Sequence, residues 1–430
     1  MNLVDEDPEL AGALAAEVRA QHDTLALVAH ASLADPSVLA AAGAVLNNVT
    51  AEGYPGARYH PGAARFDVVE RLAVARAKAV FGARYANAQP HSCSSANLAV
   101  LVGLLPPGGV LLGMDLDAGG HLTHGAPASV TGRHFRAVHY GLAGGLIDYD
   151  QVAELARAHR PAVVVAGASS YPRALDYRRF RAIADSVGAY LVADISHVAG
   201  LVAAGEHPSP IDIAHVTTTS TYKQLGGPRG GLIMSGVEHD RPGPGGTGTL
   251  AELMQRSVFP RTQGTPNPGA IAAKARALDL ALRPDFRSWA RRVAADARAL
   301  AAGLVERGHR VLTGGTDNHL VLLDLRPHGV TGVVAERALE GCGILANRNR
   351  VPGDTRPPLV ASGLRLGTNV VARRGMGPAE MARCAELVHV VLAAVARDRF
   401  DGEVRARVRA EVAALCAEFP LPFYPLEVGV

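Results

Sequence analysis

Cysteines are scarce in this chain, and their spacing excludes the common cysteine-based structures. The 430 residues include only Cys93, Cys342, Cys384 and Cys416, and no two of these form a CxxC pair. Neither a zinc ribbon nor a disulfide framework is therefore expected. A reduced, cytoplasmic setting fits four unpaired thiols best.

Long apolar runs and a strong net charge are missing as well. No apolar stretch reaches the roughly 20 residues that a membrane-spanning helix needs. The first residues, MNLVDED, are acidic rather than basic, which argues against a secretory signal. The formal net charge is +3 with no long basic run, so neither a membrane nor a nucleic acid is an expected partner. With 48% hydrophobic residues, the composition is that of a globular protein of two or three domains.

Short apolar segments alternate with helical ones in the middle of the chain. Strands are predicted at Val110–Gly113, Val163–Gly167, Tyr190–Ala193, Ala214–Thr218 and Gly231–Met234. Between the second and third of these, the charge pattern over 177–187 predicts a helix. Continuous apolar strands that alternate with helices favour an α/β fold with a mostly parallel sheet covered on both faces. Binding sites in such sheets collect at strand ends.

The pattern changes toward the C-terminus. Long helices are predicted over 268–306, a strand over Leu320–Leu325, and final helices over 378–397 and 402–417. At the other end, residues 9–22 favour a helix. We therefore expect an N-terminal helical arm (1–30), a large α/β domain (31–280) and a smaller C-terminal α+β domain (281–430).

A lysine and an aspartate at predicted strand ends indicate the chemistry. The segment 217–231 reads TTTSTYKQLGGPRGG, a hydroxyl-rich strand end that leads through Lys223 into a glycine-rich turn. Upstream, the apolar strand before Ile195 ends in Asp194. Pyridoxal phosphate enzymes need such a pair, because the lysine forms the Schiff base and the aspartate keeps the pyridine nitrogen protonated. A surface lysine and a helix-capping aspartate are the alternative.

Six longer motifs carry a resemblance to a known family. They read AEGYPGARY (51–59), QPHS (89–92), GGHLTHG (119–125), HVAGLVAAG (197–205), GGTDNH (314–319) and SGLRLGT (362–368). Over about residues 25–420 the chain resembles the serine hydroxymethyltransferases, which are fold-type-I enzymes dependent on pyridoxal 5′-phosphate. The resemblance implies the aspartate aminotransferase-like fold, with a large mostly parallel sheet domain and a smaller C-terminal α+β domain.

The resemblance also implies how the cofactor is held. Lys223 would bind it covalently, Asp194 would pair with its ring nitrogen, and His121 would stack on the ring. Ser169 and His197 would lie near the ring oxygen, and Tyr222 would lie beside the lysine. The phosphate would bind to a loop formed by Ser92, Cys93, Ser94 and Ser95, ahead of a helix expected from Ala96. Gln263 and Gly264 would reach the phosphate from the neighbouring subunit.

Substrate contacts follow from the same resemblance. Arg365 would bind the substrate carboxylate through a bidentate pair. Glu52 would act as acid or base at the substrate hydroxyl, also across a dimer interface. A homodimer, or a dimer of dimers, is therefore the expected assembly. Of the family's folate pocket, Glu52, Tyr59, Leu116 and Asn349 are in place.

Departures from the family pattern cluster around the phosphate and the substrate. They are Tyr222 for His, Thr50 for Tyr, His60 for the second of two Tyr, Cys93 for Gly, Ser95 for Gln, His30-Ala31-Ser32 for Ser-Glu-Asn, Asp117-Ala118 for Ala-His, and Arg261-Thr262 for Gly-Gly. Arg261 and His30 are candidate replacements for the lost phosphate donors, because a cation can offset them. Thr50, His30 and His60 would reshape the substrate pocket. The partly matched folate pocket leaves the use of tetrahydrofolate open.

Several residues also have simpler interpretations. His121 and His124 could bind a metal, although no third ligand is evident and no metal is expected. Arg365 could form a structural ion pair, Glu52 and Ser169 could cap turns, and Arg261 could be a solvated loop residue.

Three functions therefore stay open. The first is hydroxymethyl transfer between serine and glycine in one-carbon metabolism, by breaking and forming the Cα–Cβ bond of β-hydroxy-α-amino acids. The second is a folate-independent threonine transaldolase, which would release acetaldehyde from threonine and add another aldehyde to the glycine carbanion. The third is a weakened cofactor-binding paralogue that regulates a partner.

Overall fold

The computed structural model describes residues 3–246 and 248–424. The chain forms two compact units. One consists of residues 37–291, and the other combines the residues up to 36 with those from 292 onward. The domain limits at residues 30 and 280 stay a prediction.

A seven-stranded sheet is the centre of the 37–291 unit. Its strands are Tyr85–Asn87 (β1), Val110–Met114 (β2), Arg136–Tyr140 (β3), Val163–Gly167 (β4), Tyr190–Asp194 (β5), Val216–Ser220 (β6) and Gly231–Ser235 (β7). The order across the sheet is β1-β7-β6-β5-β4-β2-β3. Neighbours from β6 to β3 pair in parallel, and β7 runs antiparallel to both β6 and β1. The predicted mostly parallel α/β sheet is therefore confirmed.

The antiparallel direction of β7 has a simple cause. A parallel neighbour would need a crossover connection of a dozen or more residues, commonly a helix. Only ten residues separate Ser220 from Gly231, and they form a tight turn in which the Gly227 N–H donates to the Thr221 carbonyl over 2.8 Å. The chain therefore returns beside β6 in the opposite direction.

The helices of this unit cover the sheet. They are Ala64–Phe81, Cys93–Leu104, Val130–His134, Tyr149–His159, Tyr177–Ser186, Ala199–Ala204, Leu250–Arg256 and Pro268–Ala281, with Pro36–Ala42 at its start. Local signals set their ends: Asp176 accepts from the Arg179 N–H at one N-terminus, and Gly82 closes another helix in the left-handed conformation. Leu101, Leu104 and Val258 pack against apolar strand residues such as Val165 and Val192 in one core.

One predicted segment of this part of the chain needs correction. The expected strand Ala214–Thr218 begins two residues later, because the Ala214 N–H closes a turn on the Pro210 carbonyl over 2.7 Å. The long helices predicted over 268–306 are confirmed as Pro268–Ala281 and Pro284–Glu306, with a break between them. Pro284 causes the break, since it has no N–H to donate and disfavours a helical conformation of the residue before it.

The second unit is built on a four-stranded antiparallel sheet. Its strands are Arg310–Val311 (β8), Leu320–Asp324 (β9), Asn347–Asn349 (β10) and Gly363–Gly367 (β11), in the order β8-β9-β11-β10. Its helices are Leu3–Glu6, Pro8–Asp23, Gly332–Gly341, Asn369–Arg373, Pro378–Ala396 and Gly402–Glu418. A short strand, Leu25–Ala26, pairs in parallel with Ile344–Leu345, so the N-terminal segment is part of this unit. No helix in the described part of the chain is long and apolar enough to cross a membrane.

Candidate active site

Asp194 ends β5, and several hydrogen bonds hold its carboxylate in place. Its Oδ1 accepts from the Ser196 hydroxyl over 2.6 Å and from the Ser196 N–H over 3.0 Å. Its Oδ2 accepts from the Asn97 amide over 2.8 Å and lies 3.1 Å from His124 Nε2. A fixed carboxylate therefore lies at the carboxyl edge of the parallel strands.

The carboxyl group of Asp194 stays ionised despite its burial. Burial alone would raise its pKa, but its hydrogen bond with His124 and its electrostatic interactions with His124 and His121 outweigh that effect, and Ser196 adds to them. The pKa of Asp194 is held well below its usual range. An ionised, desolvated acceptor is what a protonated ring nitrogen needs as its partner.

His121 lies in the loop after β2 and is a neutral ring at neutral pH. Burial lowers its pKa to about 4, against the opposing charge of Asp194. The Thr123 N–H donates to His121 Nδ1 over 3.2 Å, and the Thr123 hydroxyl lies 2.7 Å from the same atom. A neutral imidazole in this position can stack on an aromatic ring without repelling a ring cation.

His124 does not form a metal pair with His121. The two rings are 5.6 Å apart between centroids, and His124 is directed at Asp194 instead. Within 3–246 and 248–424, no group of three or more histidine, cysteine or acidic side chains is placed to hold a metal ion.

The expected phosphate loop is partly helical, which corrects the sequence prediction. The helix begins at Cys93 rather than at Ala96, with Ser92 as its N-cap. The Ser92 hydroxyl accepts from the Ser95 N–H over 3.0 Å, and the Ser95 hydroxyl accepts from the Ser92 N–H over 2.8 Å. This reciprocal capping box starts the helix three residues earlier than expected. The N–H groups of Cys93 and Ser94 belong to the first turn, where no intrahelical acceptor exists.

Cys93 begins this helix, and its side chain also lies beside the Asp194 carboxylate. Its Sγ lies 3.7 Å from Asp194 Oδ1 and 2.9 Å from the Ser196 hydroxyl oxygen. Burial and the Asp194 charge raise the pKa of this thiol well above its usual range. Cys93 is therefore a neutral thiol with little nucleophilic character.

Lys223 is buried in the turn between β6 and β7, close to the sheet edge that carries Asp194. Its Nζ lies 5.9 Å from the centre of the Tyr222 ring, and the Arg229 guanidinium stacks on that ring at 4.0 Å. The next residue, Gln224, accepts from the N–H groups of Gly200 and Leu201 at the start of a helix. The turn is thereby fixed on both sides of the lysine.

Ser169 and His197 also lie at the carboxyl edge of the sheet. Ser169 follows β4 by two residues, and its N–H donates to the Gly119 carbonyl over 2.7 Å. His197 is buried three residues after Asp194. The strand ends therefore gather four of the expected cofactor contacts: Ser169, Asp194, His197 and Lys223.

A second group of expected site residues forms an outer cluster, which we define as Glu52, His60, Gln263 and Gly264. Glu52 Oε2 lies 3.4 Å from His60 Nε2, and a Cβ on Gly264 would lie 3.1 Å from Glu52 Oε1. The Gln263 amide donates to the Gln89 carbonyl over 3.0 Å. Glu52 and His60 are partly exposed in the single chain, so the cluster is open to solvent.

Other predicted pocket residues on this unit are exposed. Tyr59 is 74% exposed and packs its ring against Phe259 at 5.5 Å. Thr50, Leu116 and Arg261 are also exposed.

The remaining predicted substrate contacts belong to the second unit. Arg365 lies in β11, and its guanidinium reaches His30 Nδ1 over 3.1 Å and the Asn347 side-chain oxygen over 3.3 Å. Asn349 lies in β10 and donates to the Arg350 carbonyl over 2.6 Å. His30 and Asn347 thus orient the Arg365 side chain.

Sequence reasoning missed three residues that hold the site. Asn97 binds Asp194, Thr123 and Thr218, and His124 binds Asp194. The repeated histidine of GGHLTHG was the available signal for His124, and it was interpreted as a possible metal ligand. Lys274 is fully buried behind the QPHS motif, and only the fold places it there.

The donor set fits pyridoxal 5′-phosphate. An ionised buried carboxylate, a neutral imidazole and a primary amine lie at one sheet edge, near a helix N-terminus suited to a phosphate.

Comparison with known proteins agrees with this chemistry. Residues 3–388 match the family model described as serine hydroxymethyltransferase. The serine hydroxymethyltransferase of Rhodospirillum centenum is 48% identical over 426 residues, which cover 98% of this chain and 96% of that protein. Those of Alkalilimnicola ehrlichii and Halorhodospira halophila are each 49% identical, over 98% of both chains.

Proposed function

The chain belongs to the serine hydroxymethyltransferase family, and from that premise we propose that it transfers a hydroxymethyl group between serine and glycine. It is a pyridoxal phosphate-dependent transferase that breaks and forms the Cα–Cβ bond of a β-hydroxy-α-amino acid. When bound, the cofactor supplies an electron sink for the pair left on the α-carbon. The observation that carries the proposal is the ionised Asp194 carboxylate, buried within the site that also holds Lys223 and the neutral ring of His121.

Asp194 and its donors would keep the ring nitrogen of a bound cofactor protonated. Because Ser196, Asn97 and His124 fix both carboxylate oxygens, the negative charge cannot rotate away or be lost to a proton at neutral pH. Electrostatic stabilisation by such preorganised groups is usually a large part of catalysis. We assign Lys223 the covalent attachment of the cofactor and His121 the stacking contact on its ring.

We assign the substrate carboxylate to Arg365. Its guanidinium is oriented by His30 and Asn347, neither of which is an acid. A guanidinium presents two parallel N–H donors that match the two oxygens of a carboxylate, so the substrate carboxylate can bind as a bidentate partner. In this proposal His30 orients Arg365 rather than binding the cofactor phosphate, and Arg261 stays the candidate for an added phosphate contact.

We propose that Glu52 moves the proton of the substrate hydroxyl in the neighbouring subunit of a homodimer. The outer cluster supports this, because Glu52 and His60 are open to solvent in one chain. A symmetric dimer would place the same cluster of each subunit at the other's site.

Subunit mixing tests this arrangement directly. Lys223→Ala and Glu52→Gln would each be inactive alone. If the site is shared, mixed dimers of the two variants contain one intact site, and a random mixture recovers about a quarter of wild-type activity. If no activity returns although mixed dimers form, Glu52 acts within its own chain and the shared site is wrong.

The reaction itself is tested by aldehyde transfer from L-serine and L-threonine, with and without tetrahydrofolate. Folate-dependent serine turnover with poor use of threonine supports the hydroxymethyltransferase. Release of acetaldehyde from threonine without folate would replace it with a transaldolase. Cofactor-loaded protein that acts on neither amino acid would favour the regulatory paralogue.

We also propose a cytoplasmic location. All four cysteines are free thiols, as expected where disulfides do not persist.

A further inference from the structure

Lysine is rare in this chain, and two of its lysines are buried in the 37–291 unit. Of 43 basic residues other than histidine, only Lys78, Lys223 and Lys274 are lysines, and the others are arginines. Lys223 is the proposed attachment point of the cofactor. Lys274 has no role in the chemistry described so far, and its side chain is only 1% exposed. A buried ammonium group in such an arginine-rich chain requires an explanation.

Lys274 binds three main-chain carbonyl groups. Its Nζ donates to Ala88 over 2.7 Å, to Pro90 over 2.9 Å and to Gly231 over 3.0 Å. Three donors on one compact head group match three converging acceptors, which a planar guanidinium would not do. Lys274 therefore ties the segment after β1 to the first residue of β7.

The segment that Lys274 holds leads directly into the helix that starts at Cys93. Pro90 is two residues before the N-cap Ser92, and its carbonyl also accepts from the Gly231 N–H over 3.0 Å. Gly231 packs so closely that an added Cβ would lie 2.4 Å from the Ser92 carbonyl oxygen. The position of Ser92, and with it the first N–H groups of the helix, depends on this junction.

The lysine head packs directly against Gly230. A Cβ on Gly230 would lie 2.2 Å from Lys274 Cε and 2.8 Å from Nζ. The charged group that acts on Lys274 is Glu70, on the helix Ala64–Phe81, and it is already hydrogen-bonded to Arg58 and Gln89. The other faces of the ammonium group meet main-chain carbonyls.

We propose that Lys274 is a positioning residue for the cofactor phosphate. It fixes the carbonyls around Ser92 so that the helix start is preset for the phosphate, and its buried positive charge favours binding of that dianion. The inference rests on the proposed function, because it takes pyridoxal 5′-phosphate as the cofactor.

The charge has a measurable consequence for binding. Burial lowers the pKa of Lys274 to about 7, against the opposing effect of Glu70. Above that pH, the phosphate-free protein holds less positive charge at this position, and binding the phosphate must be coupled to proton uptake. The pKa of Lys274 then rises on binding, so phosphate-dependent affinity falls as the pH increases.

The experiment compares pyridoxal 5′-phosphate with pyridoxal, which lacks only the phosphate. Dissociation constants are measured by absorbance on the full-length protein after removal of its cofactor, between pH 7 and 9, where the phosphate stays a dianion. In the wild type, the dissociation constant of pyridoxal 5′-phosphate divided by that of pyridoxal should rise at least about fivefold from pH 7 to pH 9. In Lys274→Met the ratio should be at least about tenfold higher at pH 7 and should not change with pH. Lys78→Met, which removes the lysine outside the site, should behave as the wild type.

Other outcomes overturn the inference. If Lys274→Met loses the same affinity for both ligands, Lys274 supports the fold in general and does not act on the phosphate. A wild-type ratio that does not change with pH would remove the charge effect. If Lys274→Met does not fold, Gly230→Ala, which displaces the lysine head, must weaken binding of the phosphate ligand selectively. Wild-type protein that bound neither ligand would overturn the proposed function itself.

Discussion

Asp296 is a buried acid without a hydrogen-bond partner, and its removal should change how stability depends on pH. The residue lies on the helix Pro284–Glu306 with no exposed surface, and neither carboxyl oxygen has a partner. Burial raises its pKa from 3.8 to about 7, with Arg292 opposing and Glu380 adding to the shift. The folded protein therefore keeps this proton at pH values where the unfolded chain has lost it.

The sign and size of the effect follow from that difference. A carboxyl group with a raised pKa destabilises the folded state increasingly as the pH rises from 3.8 to about 7, and by a constant amount above. Each pKa unit corresponds to about 1.4 kcal/mol, so the penalty grows by at most about 2 kcal/mol between pH 5.5 and pH 8.5. Relaxation and water entry around the carboxylate reduce this further.

The assay compares urea unfolding of the wild type and Asp296→Asn at pH 5.5 and pH 8.5, followed by the fluorescence of Trp289, the single tryptophan. The free energy of unfolding of the variant should exceed that of the wild type by about 1–2 kcal/mol more at pH 8.5 than at pH 5.5. Asp285→Asn, an exposed acid of the same helix, is the control and should show no such difference. Equal pH dependence in the wild type and Asp296→Asn would refute the reasoning.

Two further predictions concern the active site. His124→Leu removes a partner of Asp194, so the pKa of Asp194 should rise. The acidic limb of the plot of kcat against pH should then move to higher pH, and kcat/KM should fall about tenfold. His134→Leu, at an exposed position, is the control, and an acidic limb that does not move would contradict the role assigned to His124. Gly264→Ala places a methyl group 3.1 Å from Glu52 Oε1, so kcat should fall several-fold while the unfolding temperature stays unchanged. Gly402→Ala, with no neighbour in reach, is its control, and full activity of Gly264→Ala would show that Glu52 moves aside freely.

Most strand positions, and the places of Asp194 and Lys223 at strand ends, were accessible from the sequence, because they follow from short local patterns. Asp194 and Lys223 end or follow apolar runs, and parallel strands bring such ends to one edge. Their partners were not accessible in this way. Asn97 and His124 contact Asp194 only because the helix Cys93–Leu104 and the loop after β2 pack beside β5. No pattern in the sequence predicts that contact.

The error at Ser92 has a similar physical cause. The family resemblance implied a phosphate-binding loop over Ser92–Ser95, with the helix starting only at Ala96. The same serines form a reciprocal cap, and Ser95 can close it only because it lies one helical turn after Ser92. The direction of β7 was likewise missed, although the short connection from Ser220 to Gly231 was sufficient to exclude a parallel crossover.

The residues around Asp194 are far apart in the sequence, and this affects when the site can form during synthesis of the chain. Asn97, His124, Ser196 and Lys223 come from well-separated points of the chain, and Lys274 closes the junction near Ser92 from a helix that is translated later still. A nascent chain therefore cannot complete this pocket until residue 274 has left the ribosome.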